Sequence, residues 1–112
     1  MIQTTVGVTL PNRLGANYFK RLVNAFFKIL PIKEDGEESL PTYIRSLQSE
    51  ILGCEKLITE LNNNANILTL VSILQYLYDN PDCSVQDVKR EVFRAISICN
   101  QLKSEYEKVN QK

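Results

Sequence analysis

The side chains with the clearest capacity for chemistry in this chain of 112 residues are carboxylates, because the sequence contains no histidine. Without histidine, neither a Ser-His nor a Cys-His nucleophile pair can form, and histidine-bearing metal motifs are absent. Asp87 and Glu91 are one helical turn apart and would share a face, an arrangement in which two carboxylates can bind a divalent cation. Arg90 and Arg94 lie beside them, so intrahelical ion pairs are the favoured interpretation.

The remaining acidic residues do not form a recognisable catalytic array. Glu34, Asp35, Glu37 and Glu38 cluster around Gly36 in a polar segment, which is typical of a solvated loop. The four glycines fit no phosphate-binding loop, no dinucleotide-binding motif and no nucleophile elbow. The sequence therefore predicts a protein that is not an enzyme and has no cofactor and no metal site.

The three cysteines are odd in number, widely spaced and surrounded by apolar residues. This pattern predicts small core residues in a reducing compartment rather than disulfides or zinc ligands. No apolar run approaches the roughly 20 residues of a membrane-spanning helix, and the first residues lack the basic and apolar regions of a secretion signal. We therefore expect a cytoplasmic protein that does not enter a membrane.

Charge is balanced overall, with 13 basic and 13 acidic side chains, but it is segregated along the chain. Residues 1–33 contain five basic side chains and no acidic one. Residues 13–30 have the spacing of an amphipathic helix with a wide apolar side and one narrow polar arc. We call this arc the basic face; its residues are Arg13, Asn17, Lys20, Arg21, Asn24 and Lys28.

Several interpretations of the basic face are open. It could be a solvated surface that the acidic remainder of the chain neutralises, or it could bind an acidic surface of a partner protein. It could also contact phosphates and bases of nucleic acid, together with Lys89, Arg90 and Arg94 if their helix is a neighbour. The sequence pI of about 6.3 disfavours an autonomous nucleic-acid binder. A membrane-surface helix is disfavoured because the apolar arc covers well over half of the helix.

Hydrophobic periodicity predicts the elements that position these residues. Helices are expected over about 14–30, 41–61, 65–79 and 84–109, and the first should end before Pro31. The second and fourth carry apolar residues at alternating steps of three and four, which is typical of bundle helices. Phe93 broadens the apolar stripe of the fourth, and the third is apolar on nearly every side, which predicts a central position.

The N-terminal residues alternate as a β-strand does, with Ile2, Val6, Val8 and Leu10 at even positions. A lone strand cannot satisfy its own backbone hydrogen bonds, and no second strand of similar quality follows. Two alternatives are open. Residues 2–10 either lie along the helices and bury Ile2, Val6 and Val8, or pair with a strand of another chain.

Together these patterns predict an all-α protein, a four-helix bundle preceded by an extended strand-like N-terminal arm. Residues 1–12 form the arm and residues 13–112 form one helical-bundle domain. The predicted function is a non-enzymatic assembly or adaptor subunit, which self-associates or docks in a larger protein complex through the arm and the bundle faces. The alternative is a nucleic-acid-binding accessory protein that uses the basic face.

Overall fold

A computed structural model describes residues 2–36 and 38–110, and within these ranges most of the chain is helical. A small antiparallel sheet of β1 (Ile2–Gln3) and β2 (Thr9–Leu10) precedes the helices. The helices are α1 (Asn12–Phe27), α2 (Ile29–Glu34), α3 (Leu40–Leu57), α4 (Ala65–Asp79) and α5 (Val85–Asn110), and a 3-10 turn (Thr59–Leu61) follows α3. The predicted all-α bundle with an N-terminal arm is thus confirmed.

The first predicted helix is in fact two helices, interrupted at Lys28. Pro31 has no backbone N–H to donate to the carbonyl of Phe27, so the hydrogen-bond ladder of α1 cannot continue through this point. Pro31 instead occupies the first turn of α2, where N–H groups have no intrahelical acceptor anyway. The first helix thus ends before Pro31 as predicted, but it ends at Phe27 rather than near residue 30, and a second helix that was not predicted continues through the proline.

The bundle core is one cluster of buried side chains from all the long helices. On α5, the predicted seam is buried at Val88, Val92, Ala95 and Cys99. The apolar surface of α4 packs against α3 and α5, but Leu68 and Tyr76 on the same helix are exposed. Because part of its apolar surface faces solvent, α4 flanks the bundle, and the prediction that it is central is wrong.

Helix α1 packs mainly against α5, and the two run antiparallel, as the ring contacts at their two ends show. At one end, the Phe19 ring stacks on the Tyr106 ring with centroids 5.8 Å apart; at the other, Phe27 meets Phe93. Gly15 makes the first of these contacts possible, because a Cβ atom there would lie 2.9 Å from the ring of Tyr106. The close approach fixes which faces of α1 point into the core and which point outward.

The N-terminal arm is a hairpin rather than one extended strand. Ile2 pairs with Leu10, and the chain reverses between them, where Gly7 has a φ of +86°. Thr4 stabilises the reversal because its hydroxyl donates to the carbonyl of Val8 at 2.8 Å and accepts from the Val8 N–H at 3.0 Å. The arm supplies its own second strand, which the alternating pattern did not predict.

The hairpin is joined to the bundle at the C-terminal end of α3. The N–H of Thr5 donates to the carbonyl of Leu57 at 2.7 Å, and Thr4 forms an isolated bridge with Ile58. Ile58 has an extended backbone, so α3 ends at Leu57 and not near residue 61 as predicted. Ile2 is buried in the bundle core, which agrees with an arm that lies along the helices. The predicted burial of Val6 and Val8 is wrong, because both are exposed.

Candidate partner-binding surface

The basic face lies on the outer side of the bundle. All six of its residues are exposed, and they stand opposite the buried side chains Phe19, Leu22 and Phe26 of the same helix. Five of them belong to α1, and Lys28 occupies the junction between α1 and α2. The structure therefore brings together on one surface all the residues that helical spacing grouped; they are Arg13, Asn17, Lys20, Arg21, Asn24 and Lys28.

One of these cations, Arg21, has a counterion. The Arg21 guanidinium lies 3.8 Å from a carboxylate oxygen of Glu50 on α3 and 5.4 Å from the centre of the Tyr18 ring. Among the side chains that the structure describes, Arg13, Lys20 and Lys28 have no carboxylate within 4 Å. No described carboxylate therefore offsets the charges of these three side chains.

An exposed pair of aromatic rings borders the basic face. Phe27 and Phe93 are 42% and 45% exposed, and their rings meet edge to face with centroids 6.0 Å apart. Phe27 follows Lys20 by two helical turns, and Lys89 precedes Phe93 by one turn, so a lysine shares the face of each ring. We call Phe27 and Phe93 the Phe pair. The Phe pair forms a small exposed apolar patch where α1 packs against α5.

The Phe pair was not predicted from the sequence. The predicted place of Phe93 in a broadened core stripe is wrong, because nearly half of its side chain is exposed. Phe27 lies outside the core spacing of Phe19, Leu22 and Phe26, and that mismatch was the available signal. The contact between the two rings could not be found from spacing because it depends on how α1 packs against α5.

The basic residues of α5 differ in their pairing. Arg90 lies 3.4 Å from a carboxylate oxygen of Asp87, and Arg94 lies 3.4 Å from one of Glu91. These contacts confirm the predicted intrahelical ion pairs. Lys89 has no such partner among the described side chains, so it is the α5 cation that most resembles Lys20 and Lys28 in its availability.

A groove of about 450 Å³ runs along the other flank of α1, beside α3. Arg21, Asn24 and Lys28 line its α1 side, and Ser46 and Glu50 line its α3 side. Tyr43 also lines the groove, and its hydroxyl donates to the carbonyl of Ala25 at 2.7 Å. The basic face therefore has a groove on one side and the Phe pair on the other.

One tyrosine and two cysteines in the bundle have raised pKa values. Burial raises the pKa of Tyr18, and neighbouring Cys54 and Glu50 raise it further. The Tyr18 hydroxyl donates to Glu50 at 3.3 Å. Burial also raises the pKa of the Cys54 thiol and brings that of Cys99 to about 12, so both thiols are protonated at neutral pH. A protonated thiol is a poor nucleophile.

The arm residues divide into two groups. Ile2 is buried and Leu10 is half-buried against the core. Val6 and Val8 are 71% and 54% exposed. Of the four predicted interface residues, only these two valines present most of their surface to a partner.

Two further properties bear on function. No group of three or more His, Cys, Asp and Glu residues in the described part of the chain is arranged to hold a metal ion. None of the described helices has both the length and the apolar character needed to cross a bilayer. Comparisons with protein-family models, curated proteins and solved structures found no significant match. The chemistry of the chain's own surface is thus the basis for a proposed function.

Proposed function

We propose that this protein is a non-enzymatic, cytoplasmic assembly or adaptor subunit that docks on an acidic surface of another protein. The docking surface consists of the basic face and the Phe pair. The observation that carries the proposal is the Phe pair itself, two half-exposed rings in mutual contact. Lys20 and Lys89 share the helix faces of these rings and Lys28 follows Phe27 in the chain, and none of the three lysines has a described counterion.

This arrangement matches the anatomy of protein interfaces. Large aromatic side chains near the centre of an interface contribute most of its binding energy when they are covered, and a polar rim excludes water around them. Cations on the rim increase the association rate with a partner of opposite charge. A partner with carboxylates around one exposed apolar side chain would complement the Phe pair and its lysines.

Self-association through this face is disfavoured by its charge. A two-fold symmetric dimer brings the same patch of each copy together, so the basic surface of one copy, with Lys20, Lys28 and Lys89, would face the basic surface of the other. Like charges at close range oppose association. A second copy is therefore a poorer occupant of the basic face than an acidic partner.

The arm supports a second contact in the same assembly. Val6 and Val8 project from the hairpin and are uncharged, so this surface is free of the repulsion that opposes self-association at the basic face. Removal of the whole arm would also remove Ile2 from the core. Val6→Ser and Val8→Ser together test the contact without that loss, and sedimentation velocity measures whether a self-association is weakened.

The main proposal is tested by purifying tagged protein from its own cells and identifying the co-purifying chains. The wild type should retain a defined set of partners, and the double variant Lys28→Glu, Phe93→Ala should lose it. Lys56→Glu on α3 is the control, because it makes the same charge change as Lys28→Glu at an exposed site away from α1. Equal partner sets for wild type and the double variant would contradict the proposal.

The nucleic-acid alternative is favoured by the same combination of lysines and aromatic rings, since single-stranded nucleic acid is held by phosphate contacts and base stacking. The edge-to-face packing of the Phe pair uses part of the ring surface that bases would need. Retention of wild type on single-stranded DNA or RNA at low salt, with a steep loss on adding salt, would support it. Lack of retention at low salt rejects it.

A further inference from the structure

A pocket of about 280 Å³ opens between the hairpin, α1 and α3. Ile2 and Leu10 of the hairpin form one wall, and the rings of Phe19 and Tyr106 form the floor. Leu14 and Leu57 stand at the mouth and are 45% and 44% exposed. The lining is therefore almost wholly apolar and comes from four separate segments of the chain.

Polar groups line the pocket at one end. There the Tyr18 hydroxyl donates to a carboxylate oxygen of Glu50 at 3.3 Å, and Cys54 lies beside them. The guanidinium of Arg21 lies 3.8 Å from the same carboxylate and offsets its charge. Since a carboxylate can accept several hydrogen bonds, Glu50 has capacity for a further donor. This end is polar without carrying an excess charge.

The volume sets the size of molecule that fits. An apolar cavity of about 150 Å³ accommodates benzene. The pocket here is nearly twice as large and has an aromatic floor, so it has room for a fused two-ring molecule or an aliphatic chain of similar size. Most small-molecule sites share this design of apolar walls with a few polar groups that fix orientation.

We propose that this pocket binds a small, neutral, mainly apolar molecule that carries one hydrogen-bond donor and directs it at Glu50. The apolar walls exclude charged ligands, because burying a charge against them has no compensating interaction. The ligand contacts both the hairpin and α3, so its binding stabilises the attachment of the arm to the bundle. The pocket shares the Arg21–Glu50 contact with the edge of the basic face, but it involves neither the Phe pair nor Lys20, Lys28 or Lys89. The variants that test the two proposals are at different residues, so the two proposals can fail independently.

The test is an NMR titration of the full-length protein with three related probes. Indole fits the proposed class, 1-methylindole lacks the N–H donor, and indole-3-acetate carries a negative charge. Indole should produce saturable shifts at the pocket residues with a dissociation constant of about 1 mM or lower. The affinity for 1-methylindole should be about threefold lower or more, since it leaves the Glu50 acceptor without a donor. Indole-3-acetate should bind least.

Two variants locate the site. Leu14→Ala and Leu57→Ala each remove apolar wall at the mouth and should weaken indole binding about threefold to tenfold. Both leucines are half-exposed, so truncation leaves the fold intact. Gly53→Ala on α3 is the control, because its new methyl group has no heavy atom within 4 Å. It should leave indole binding unchanged.

Three results would overturn the proposal. The first is the absence of saturable shifts with indole. The second is unchanged indole affinity in both Leu14→Ala and Leu57→Ala, which would place binding elsewhere. The third is equal affinity for indole and 1-methylindole, which would remove the role of Glu50 as acceptor.

Discussion

The ring of Phe27 on α1 meets the ring of Phe93 on α5 edge to face, with 6.0 Å between centroids, although each side chain is more than two-fifths exposed. Aromatic pairs in this geometry attract each other by about 0.5–1.5 kcal/mol beyond their burial. Because nearly half of each side chain still faces water, much of the hydrophobic stabilisation available to the pair is unrealised in the isolated chain. A partner that covers the pair would recover it.

This geometry predicts that Phe93→Ala separates binding from folding. Phe93→Ala should lower the free energy of unfolding by about 1 kcal/mol, since only about half of the Phe93 side chain is buried. Phe19→Ala, which removes a fully buried ring, should cost about 3–5 kcal/mol. Denaturant unfolding measures both. A loss of stability in Phe93→Ala as large as that in Phe19→Ala would show that Phe93 is a core residue after all.

The buried side chain of Tyr106 should make the protein less stable at high pH. Burial, with a smaller contribution from Glu60, raises the pKa of Tyr106 from its ordinary value of 10.0 to about 12. The unfolded chain therefore releases this proton at lower pH than the folded protein, so the contribution of Tyr106 to stability is constant below about pH 10 and is lost as the pH rises towards 12. The raised pKa of Tyr18 acts in the same direction.

The corresponding experiment follows the free energy of unfolding from about pH 8 to about pH 12. Tyr106→Phe cannot ionise at this position, so its stability should fall less steeply above about pH 10 than that of wild type. Tyr76→Phe changes an exposed tyrosine and serves as the control. Identical pH profiles for wild type and Tyr106→Phe would contradict the assigned role of Tyr106.

The helices were predictable because hydrophobic periodicity is local. The three-and-four spacing placed Val88, Val92 and Cys99 on one buried seam of α5, and the same rule placed Lys20 and Lys28 on the outside of the first helix. Helix ends were less predictable where tertiary contacts determine them. Ile58 leaves α3 in an extended conformation because it pairs with Thr4, which is far away at the start of the chain.

The hairpin and the Phe pair were not predicted from the sequence, for different reasons. Gly7 interrupts the alternating N-terminal pattern, and a glycine inside a strand pattern indicates a turn or bulge, so the signal was present. The Phe pair and the pocket depend on how α1, α3, α5 and the hairpin pack. No spacing rule within one helix contains that information.

Two substitutions of Gly7 in the hairpin turn should destabilise the protein to different extents. Its φ of +86° lies in the left-handed region, and a Cβ atom added there would have no heavy atom within 4 Å, so any cost of Gly7→Ala comes from the backbone. Gly7→Ala should destabilise the protein by about 1–2 kcal/mol, and Gly7→Asn by less, because asparagine tolerates this region better. Hydrogen exchange at the Thr4 amide, which donates to Val8, should accelerate in the same order. Equal exchange in both variants would contradict the turn.

Substitution by alanine should have opposite effects on stability at the two helical glycines, Gly53 and Gly15. Alanine is favoured over glycine in a helix by about 1 kcal/mol, so Gly53→Ala, with open space around it, should be stabilising by up to that amount. At Gly15 the added Cβ would lie 2.9 Å from the Tyr106 ring and 3.0 Å from Ile2. Tyr106 is buried and stacked on Phe19, so it cannot move away without disturbing the core. Overpacking of this kind costs about 1–3 kcal/mol and should exceed the helical gain.

The cause of the Gly15 effect can be isolated with a double-mutant cycle. Tyr106→Leu removes the ring that the new methyl group would meet, so Gly15→Ala should be much less destabilising in the Tyr106→Leu background than in wild type. Denaturant unfolding of the four proteins gives the coupling between the two positions, which should amount to about 1 kcal/mol or more for residues in direct contact. If the two effects are simply additive, the Tyr106 ring is not what requires glycine at position 15, and the antiparallel packing of α1 on α5 at this end would need a different explanation.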